Sequence, residues 1–67
     1  MKIGDKVSWD TSQGRTRGRI VDRKTTDFQL ANQNFKASED EPKLIVESDK
    51  TGARAAHDPS ALRLLKN

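Results

Sequence analysis

The sequence predicts an all-β protein, a small barrel of five or six short strands with one helical turn near residues 59–62. Two observations lead to this class. The apolar residues occur in pairs two positions apart, as in Val7 and Trp9, and this spacing places side chains on one face of an extended strand. Short polar segments rich in residues typical of turns separate these pairs.

The first strand, residues 5–10, is the stretch around which the rest is organised. Val7 and Trp9 point inward, and Trp9 is the only tryptophan of the chain. No other residue here can bury as much apolar area, so we expect its indole to fill the centre of the barrel. Residues 11–14 form a turn, and a second strand returns over residues 15–24.

The second strand carries arginines at even spacing, which predicts that they share one face. This basic set consists of Arg15, Arg17, Arg19 and Arg23, with Lys24 beside them. Ile20 lies on the opposite face. Val21, however, has the parity of the arginines, and a bulge or bend near Gly18 would explain this because glycine within a strand often marks one.

The middle of the chain predicts a third strand and a long loop. Phe28 and Leu30 repeat the spacing of two, residues 31–34 are a turn, and Phe35 returns to the apolar layer. Residues 37–43 are polar, acidic and interrupted by a proline, which is typical of a loop.

The last third predicts a hairpin, a helical turn and a closing strand. Residues 44–46 are three consecutive apolar residues, which indicates a strand covered on both faces. A turn at 49–52 leads to a returning strand at 53–57, Asp58 is an N-cap, and 62–65 close the barrel. The predicted core comprises Val7, Trp9, Ile20, Phe28, Leu44, Val46, Leu62 and Leu64.

Composition limits the class of protein. Residues 1–67 predict a single domain of modest stability, because charged residues make up 34% of the chain and hydrophobic ones only 31%. The absence of cysteine excludes disulfides and thiolate zinc sites. No signal peptide or membrane-spanning run is recognisable, so we expect a soluble, cytoplasmic protein that is a monomer.

Five segments of the chain, in their order and spacing, resemble a known family. They are Gly4-Asp5-Lys6-Val7-Ser8-Trp9, Gly18-x-Ile20-Val21, residues 37–43, residues 46–52, and Ala55-Ala56-His57 before Ala61-Leu62. The chain resembles the hypervirulence-associated Tudor-like domain family of short bacterial and fungal proteins. This resemblance implies a Tudor-like barrel of the Src-homology-3 type and no established activity. Leu44 stands where many relatives have an aromatic residue.

Neither of two polar clusters has the spacing that catalysis or metal binding requires. His57, Asp58 and Ser60 are crowded into four positions at the end of a strand, which rarely allows a catalytic triad, so we expect no enzyme activity. Residues 39–41 are all acidic but lack the alternating spacing of a calcium loop. A single histidine cannot complete a zinc site, so we expect neither metal nor cofactor.

A binding function without catalysis is therefore predicted, and two ligand classes remain open. The first is a protein or peptide bound through the open face of the barrel, with Phe35 as a candidate contact because it lies among polar residues. The alternative is nucleic acid, bound along the second strand by the basic set of Arg15, Arg17, Arg19, Arg23 and Lys24.

The charge distribution is compatible with the alternative, but the small net charge of +3 favours a less specific explanation. Residues 1–37 contain eight Lys or Arg and four Asp or Glu, whereas residues 38–67 contain five and six, and the pI is near 9.6. The same arginines could instead form a solvated face that is paired with the acidic residues 39–41. A cage for methylated lysine is not expected, because the chain has only three aromatic residues, Trp9, Phe28 and Phe35.

Overall fold

The computed structural model describes residues 1–30 and 32–65, which form antiparallel strands and one 3-10 turn. The strands are β1 (Lys6–Thr11), β2 (Gly14–Lys24), β3 (Phe28–Leu30), β4 (Gln33–Phe35), β5 (Lys43–Ser48), β6 (Arg54–His57) and β7 (Arg63–Leu64). The 3-10 turn spans Pro59–Ala61. The predicted all-β class and the helical turn near 59–62 are confirmed.

Five of these strands form one curled sheet, in the order β6-β5-β2-β1-β7, and β3 pairs only with β4. The sheet does not close into a barrel, since the described parts of β6 and β7 remain its two edges. It is nevertheless strongly curved. The rings of Trp9 on β1 and His57 on β6 lie 5.7 Å apart, whereas three strand spacings in a flat sheet would separate their strands by about 14 Å.

The concave side of the sheet, called the inner face below, carries the buried core. This cluster contains Val7, Trp9, Ile20, Leu44, Val46 and Leu62, six of the eight residues expected there. The two others lie elsewhere. Phe28 stacks on Phe35 within the β3–β4 hairpin, with ring centroids 5.2 Å apart, and Leu64 is 52% exposed because it lies on the short edge strand β7.

The opposite side, called the outer face below, also contains one buried apolar residue. Ile45 is only 4% exposed although its neighbours Leu44 and Val46 belong to the inner-face cluster. The sequence prediction that this strand is covered on both sides is therefore confirmed.

Gly18 allows the sheet to pack tightly around the indole. An added Cβ would lie 2.7 Å from Cη2 of Trp9 and would also collide with the backbone carbonyl oxygen of Glu47. The bulge expected near this glycine lies further along β2, where the pairing with β5 shifts between Ile20 and Asp22. A bulge inserts one extra residue, so every side chain beyond it changes face.

Glycines close the two hairpins of the main sheet. Gly14, at φ 116°, ends the β1–β2 turn, and the hydroxyl of Thr11 donates a 2.8 Å hydrogen bond to its carbonyl oxygen. Gly52, at φ 75°, donates its N–H to the carbonyl oxygen of Ser48 at 2.9 Å. The turn predicted for 31–34 begins at Ala31, which lies outside the described residues, and β4 already starts at Gln33.

Candidate functional site

The register of the sheet brings four cationic residues together on the outer face. Directly opposed residues of an antiparallel pair point to the same side. Ser8 of β1 lies opposite Arg17 of β2 and opposite Arg63 of β7, while Lys6 of β1 lies opposite Arg19 of β2. We call Lys6, Arg17, Arg19 and Arg63 the outer basic patch.

Ser8 lies at the centre of the patch and is only 1% exposed. Opposed residues lie about 5 Å apart across strands, and residues two apart lie about 7 Å apart along one. Arg17 and Arg63 oppose it from the two neighbouring strands. The backbones of Arg17 and Arg63 are therefore about 10 Å apart, which is two strand spacings.

Three residues of the patch, Arg17, Arg19 and Arg63, have no ion pair within the described part of the chain. The five ion pairs there are Lys6–Asp49, Arg15–Asp10, Lys24–Asp22, Lys43–Asp58 and Arg54–Glu47. Lys6 reaches Asp49 at 4.0 Å, the longest of these pairs. None of the five joins an arginine to residues 39–41, so the pairing considered from sequence does not occur among the described residues.

Arg19 is also opposed by a like charge. Its neighbour on β1 is Lys6, and like charges directly opposite each other destabilise a sheet. Its neighbour on β5 is Glu47, which instead pairs with Arg54 at 3.8 Å. Stability alone does not favour this arrangement, and such local conflicts are typical of functional surfaces.

The prediction that four arginines of β2 share one face is wrong, because the bulge reverses the last of them. Arg23 lies opposite Leu44, a residue of the inner-face core, so it points to the other side from Arg17. Arg15 does share the outer face, but its guanidinium pairs with Asp10 at 3.5 Å.

Lys24 is occupied by a neighbouring carboxylate. Its ammonium lies 3.1 Å from the carboxylate of Asp22, and the backbone N–H of Arg23 donates a second bond to that carboxylate at 2.8 Å. The hydrogen bond from Lys24, followed by the one from this N–H, lowers the pKa of Asp22. Of the five basic residues predicted from sequence, only Arg17 and Arg19 belong to the outer basic patch.

Sequence reasoning missed the two members of the patch that come from other strands. Lys6 and Arg63 are 57 positions apart, and only the pairing of β1 with both β2 and β7 makes them neighbours of Arg17 and Arg19. The sequence did indicate that Lys6 and Ser8 share a face, because they are two positions apart and alternate with the inward-pointing Trp9. The sequence predicted that the second strand returns beside β1, but it did not indicate that Arg63 would lie opposite Ser8.

A groove of about 760 Å³ lies beside the patch, where the β1–β2 and β5–β6 hairpins meet. Its lining includes Trp9, which is only 6% exposed, and the small residues Thr16 and Ala55. Its charged lining residues are Arg15, Arg17, Lys50, Arg54 and a single acid, Asp49. Trp9 is the one aromatic residue among those lining it, so this groove lacks the aromatic cage that binds methylated lysine.

His57 packs against the core and does not point into solvent. Its ring is tilted by 41° against that of Trp9, and its Nε2 atom is buried without a hydrogen-bond partner among the described residues. Burial lowers the pKa of His57, and the nearby carboxylate of Asp58 opposes that shift. Although β6 is an edge strand, the ring is half-buried.

Asp58 occupies the expected N-cap position but does not cap the helical turn. Its side chain makes no capping hydrogen bond and instead accepts one from Nζ of Lys43. Its backbone carbonyl oxygen accepts the N–H of Ala61 at 2.9 Å. With its carboxylate bound to lysine, Asp58 is not arranged to orient His57 as in a catalytic triad.

The other candidate residues are placed as follows. Phe35 is half-buried in its stack with Phe28, so it is neither a core residue nor fully exposed. Glu39, Asp40 and Glu41 are exposed, and no three acidic or histidine side chains in residues 1–30 and 32–65 are grouped as metal ligands would be. Over the same residues, no helix has the length and apolar character needed to cross a membrane.

Comparison with known proteins assigns the family. Residues 4–62, which include six of the seven strands, match the family described as hypervirulence associated proteins TUDOR domain. No curated protein and no solved structure matches the sequence. Tudor-like domains are small binding modules, which agrees with a site made of surface charges and a groove. The chain belongs to the hypervirulence-associated Tudor domain family.

Proposed function

We propose that this domain is a non-catalytic module that binds nucleic acid through its phosphate backbone, with the outer basic patch as the contact surface. The observation that carries the proposal is the grouping of Arg17, Arg19 and Arg63, without ion pairs among the described residues, beside Lys6. Guanidinium groups present several N–H donors in one plane and bind phosphate oxygens in pairs.

The composition of the outer face supports recognition of the backbone over recognition of bases. Its residues on β1 and β2 are Lys6, Ser8, Asp10, Arg15, Arg17, Arg19, Asp22 and Lys24, none of them aromatic. Such a surface therefore offers no aromatic ring on which a base can stack. Contacts of arginine and lysine with phosphate position a protein on nucleic acid without reading its sequence. We therefore expect binding with little sequence preference and with a strong dependence on salt.

The triple variant Arg17→Ala, Arg19→Ala and Arg63→Ala tests the proposal. Fluorescence anisotropy with one labelled 20-base-pair DNA duplex and one single strand of the same sequence, at several salt concentrations, gives the affinity and its salt slope. Each lost phosphate contact lowers the slope of log K against log salt by about 0.9 for duplex DNA. We expect wild-type binding to weaken steeply with salt, and the triple variant to lose most of its affinity and slope.

Arg23→Ala is the matched control. It removes the same charge from the same strand, but from the inner face, where the bulge places Arg23. We expect its affinity and salt slope to stay close to the wild-type values. The proposal is wrong if the wild-type chain does not bind either oligonucleotide, or if Arg23→Ala and the single variant Arg17→Ala weaken binding equally.

The other ligand class expected from the sequence, a protein or peptide, is supported by a different part of the molecule. The edge of the sheet at β6 and the groove beside it have the backbone and charge features that such a partner needs.

A further inference from the structure

The edge strand β6 exposes backbone groups that the fold does not use. Ser48 donates its N–H to the carbonyl oxygen of Ala53 at 2.9 Å, so this opposed pair is hydrogen-bonded. Hydrogen-bonded and non-bonded pairs alternate along an antiparallel ladder. The pairs Glu47–Arg54 and Ile45–Ala56 are therefore non-bonded, and Arg54 and Ala56 direct their N–H and C=O groups away from β5.

No backbone hydrogen bond of the described residues involves these outward groups of Arg54 and Ala56. Proteins usually protect an open edge with proline, lysine, a bulge or a very short strand. The opposite edge of the sheet follows this rule, because β7 has only two residues. Strand β6 has four residues, a regular register with β5, and alanine at two central positions. It offers a partner strand an unobstructed edge.

The groove begins where β6 begins, and it favours negative charge. Ala53, Arg54 and Ala55 are among its lining residues, so a strand added along β6 runs past its mouth. Its lining carries Arg15, Arg17, Lys50 and Arg54 against the carboxylate of Asp49. Arg15 pairs with Asp10 and Arg54 with Glu47, so Arg17 and Lys50 are the lining cations without an ion pair among the described residues. Acidic side chains of an added segment would meet cations there, whereas basic ones would be repelled.

We propose that β6 and this groove form a docking site for an extended acidic peptide segment, which adds to the main sheet as a further strand. The N–H and C=O groups of Arg54 and Ala56 supply its backbone hydrogen bonds, and the basic lining of the groove selects its acidic side chains. The anchoring groups of this site are backbone groups on the far edge of the sheet from Arg63, and of the outer basic patch only Arg17 also lines the groove.

Amide hydrogen exchange tests the site directly. The probe is a synthetic eight-residue peptide of alternating glutamate and valine, and the control peptide alternates lysine and valine. Before the probe is added, we expect the amides of Arg54 and Ala56 to exchange freely, because they lack partners. At saturating probe, exchange at these two amides should slow at least tenfold, and the lysine peptide should leave both unchanged.

Two variants separate the backbone contribution from the charge. Ala56→Pro removes an outward N–H that β5 does not use, so the internal ladder is preserved while the edge donor is lost. Arg54→Glu reverses a charge at the groove, and because the new carboxylate lies opposite Glu47, circular dichroism first checks that the variant folds. We expect each to weaken the probe at least tenfold. Arg63→Glu, the same charge reversal at the opposite edge, should bind the probe as the wild type does.

Other outcomes overturn the proposal. Unchanged exchange at both amides, or probe binding that survives Arg54→Glu, means that β6 is not the docking strand. If Arg63→Glu weakens the probe as much as Arg54→Glu, the peptide binds the outer basic patch by charge alone. Sedimentation equilibrium tests whether a second copy of the chain occupies the edge instead. That is the conclusion if the protein is a dimer, if Arg54→Glu leaves the dimer intact, and if Ala56→Pro abolishes it. Should Ala56→Pro fail to fold, Arg54→Glu and the exchange data decide the question.

Discussion

The inner and outer faces of the five-stranded sheet are formed by the same strands but differ in almost every property. The inner face carries the core cluster around Trp9, and of the residues that β2 and β5 place there, only Arg23 is charged. The outer face carries three arginines without ion pairs in the described chain. Alternate residues of a strand point to opposite sides, so one strand can stabilise the fold and present a binding surface at the same time.

The difference teaches that stability and binding are separable in this molecule. Replacing an inner-face residue removes packing and close contacts, whereas replacing an outer-face arginine removes a solvated charge. Substitutions on the two faces test that separation, and Gly18→Ala and Arg19→Ala compare neighbouring positions on opposite faces.

The largest effect is expected for Trp9→Ala. It removes the largest side chain of the inner-face cluster and its contact with His57. Large-to-small changes of this kind cost about 3–5 kcal/mol of unfolding free energy, which can unfold a domain of this size. Urea denaturation followed by circular dichroism measures the loss. A folded variant with an unchanged midpoint would show that the indole does not organise the core.

Gly18→Ala should destabilise the chain by about 1–3 kcal/mol, the usual cost of overpacking. The new Cβ meets Cη2 of Trp9 and the backbone carbonyl oxygen of Glu47, and a backbone atom cannot move away by changing rotamer. Arg19→Ala, at the next position and on the outer face, is the control for the same denaturation experiment. Equal midpoints for the two variants would contradict the close approach at this glycine.

Acid should destabilise the inner face through His57. Burial lowers the pKa of His57 below its ordinary value of 6.5, so the unfolded chain binds a proton that the folded chain does not. The unfolding free energy is therefore highest above about pH 6.5 and falls as the pH drops toward the folded-state pKa.

Denaturation at pH 7.5 and pH 5.5 measures this fall. The carboxylate of Asp58 is the charged group that acts on the ring, and it opposes the effect of burial. His57→Phe retains an aromatic ring on Trp9 but cannot bind a proton, so its stability should change less between the two pH values. An equal fall in both proteins would assign the effect to other groups.

The smallest effect on stability is expected for Arg17→Ala and Arg63→Ala. Exposed substitutions of this kind change the unfolding free energy by no more than about 0.5 kcal/mol. The same two variants should weaken binding of the DNA duplex, since both residues belong to the outer basic patch. Loss of stability in proportion to loss of binding would mean that the two faces are not independent.

Much of the fold follows from local pattern. The spacing of Val7 and Trp9, the polar turns, and the apolar run at 44–46 specify strands and their buried sides, because side-chain direction in a strand depends only on parity. The spacing of apolar residues does not predict features that depend on packing between distant segments. Phe28 has the right spacing for a core residue, yet it stacks on Phe35 in a hairpin that pairs with no strand of the main sheet.

The candidate site was predicted less completely than the fold, for a related reason. A regular alternation predicted one stripe of arginines, but a single extra residue between Ile20 and Asp22 places Arg23 on the other face. Parity cannot locate a bulge, since any residue nearby could be the extra one.

The sequence by itself determined that this chain forms short strands, that its tryptophan is buried, and that Arg17 and Arg19 share a face. Only the tertiary structure decided which cations surround Ser8 and which strand edge stays open. Alternation along a strand is a local property of the backbone, whereas the neighbours of a strand depend on contacts between segments far apart in the chain. Lys6 and Arg63 lie near opposite ends of the sequence and share one patch only because β7 pairs with β1.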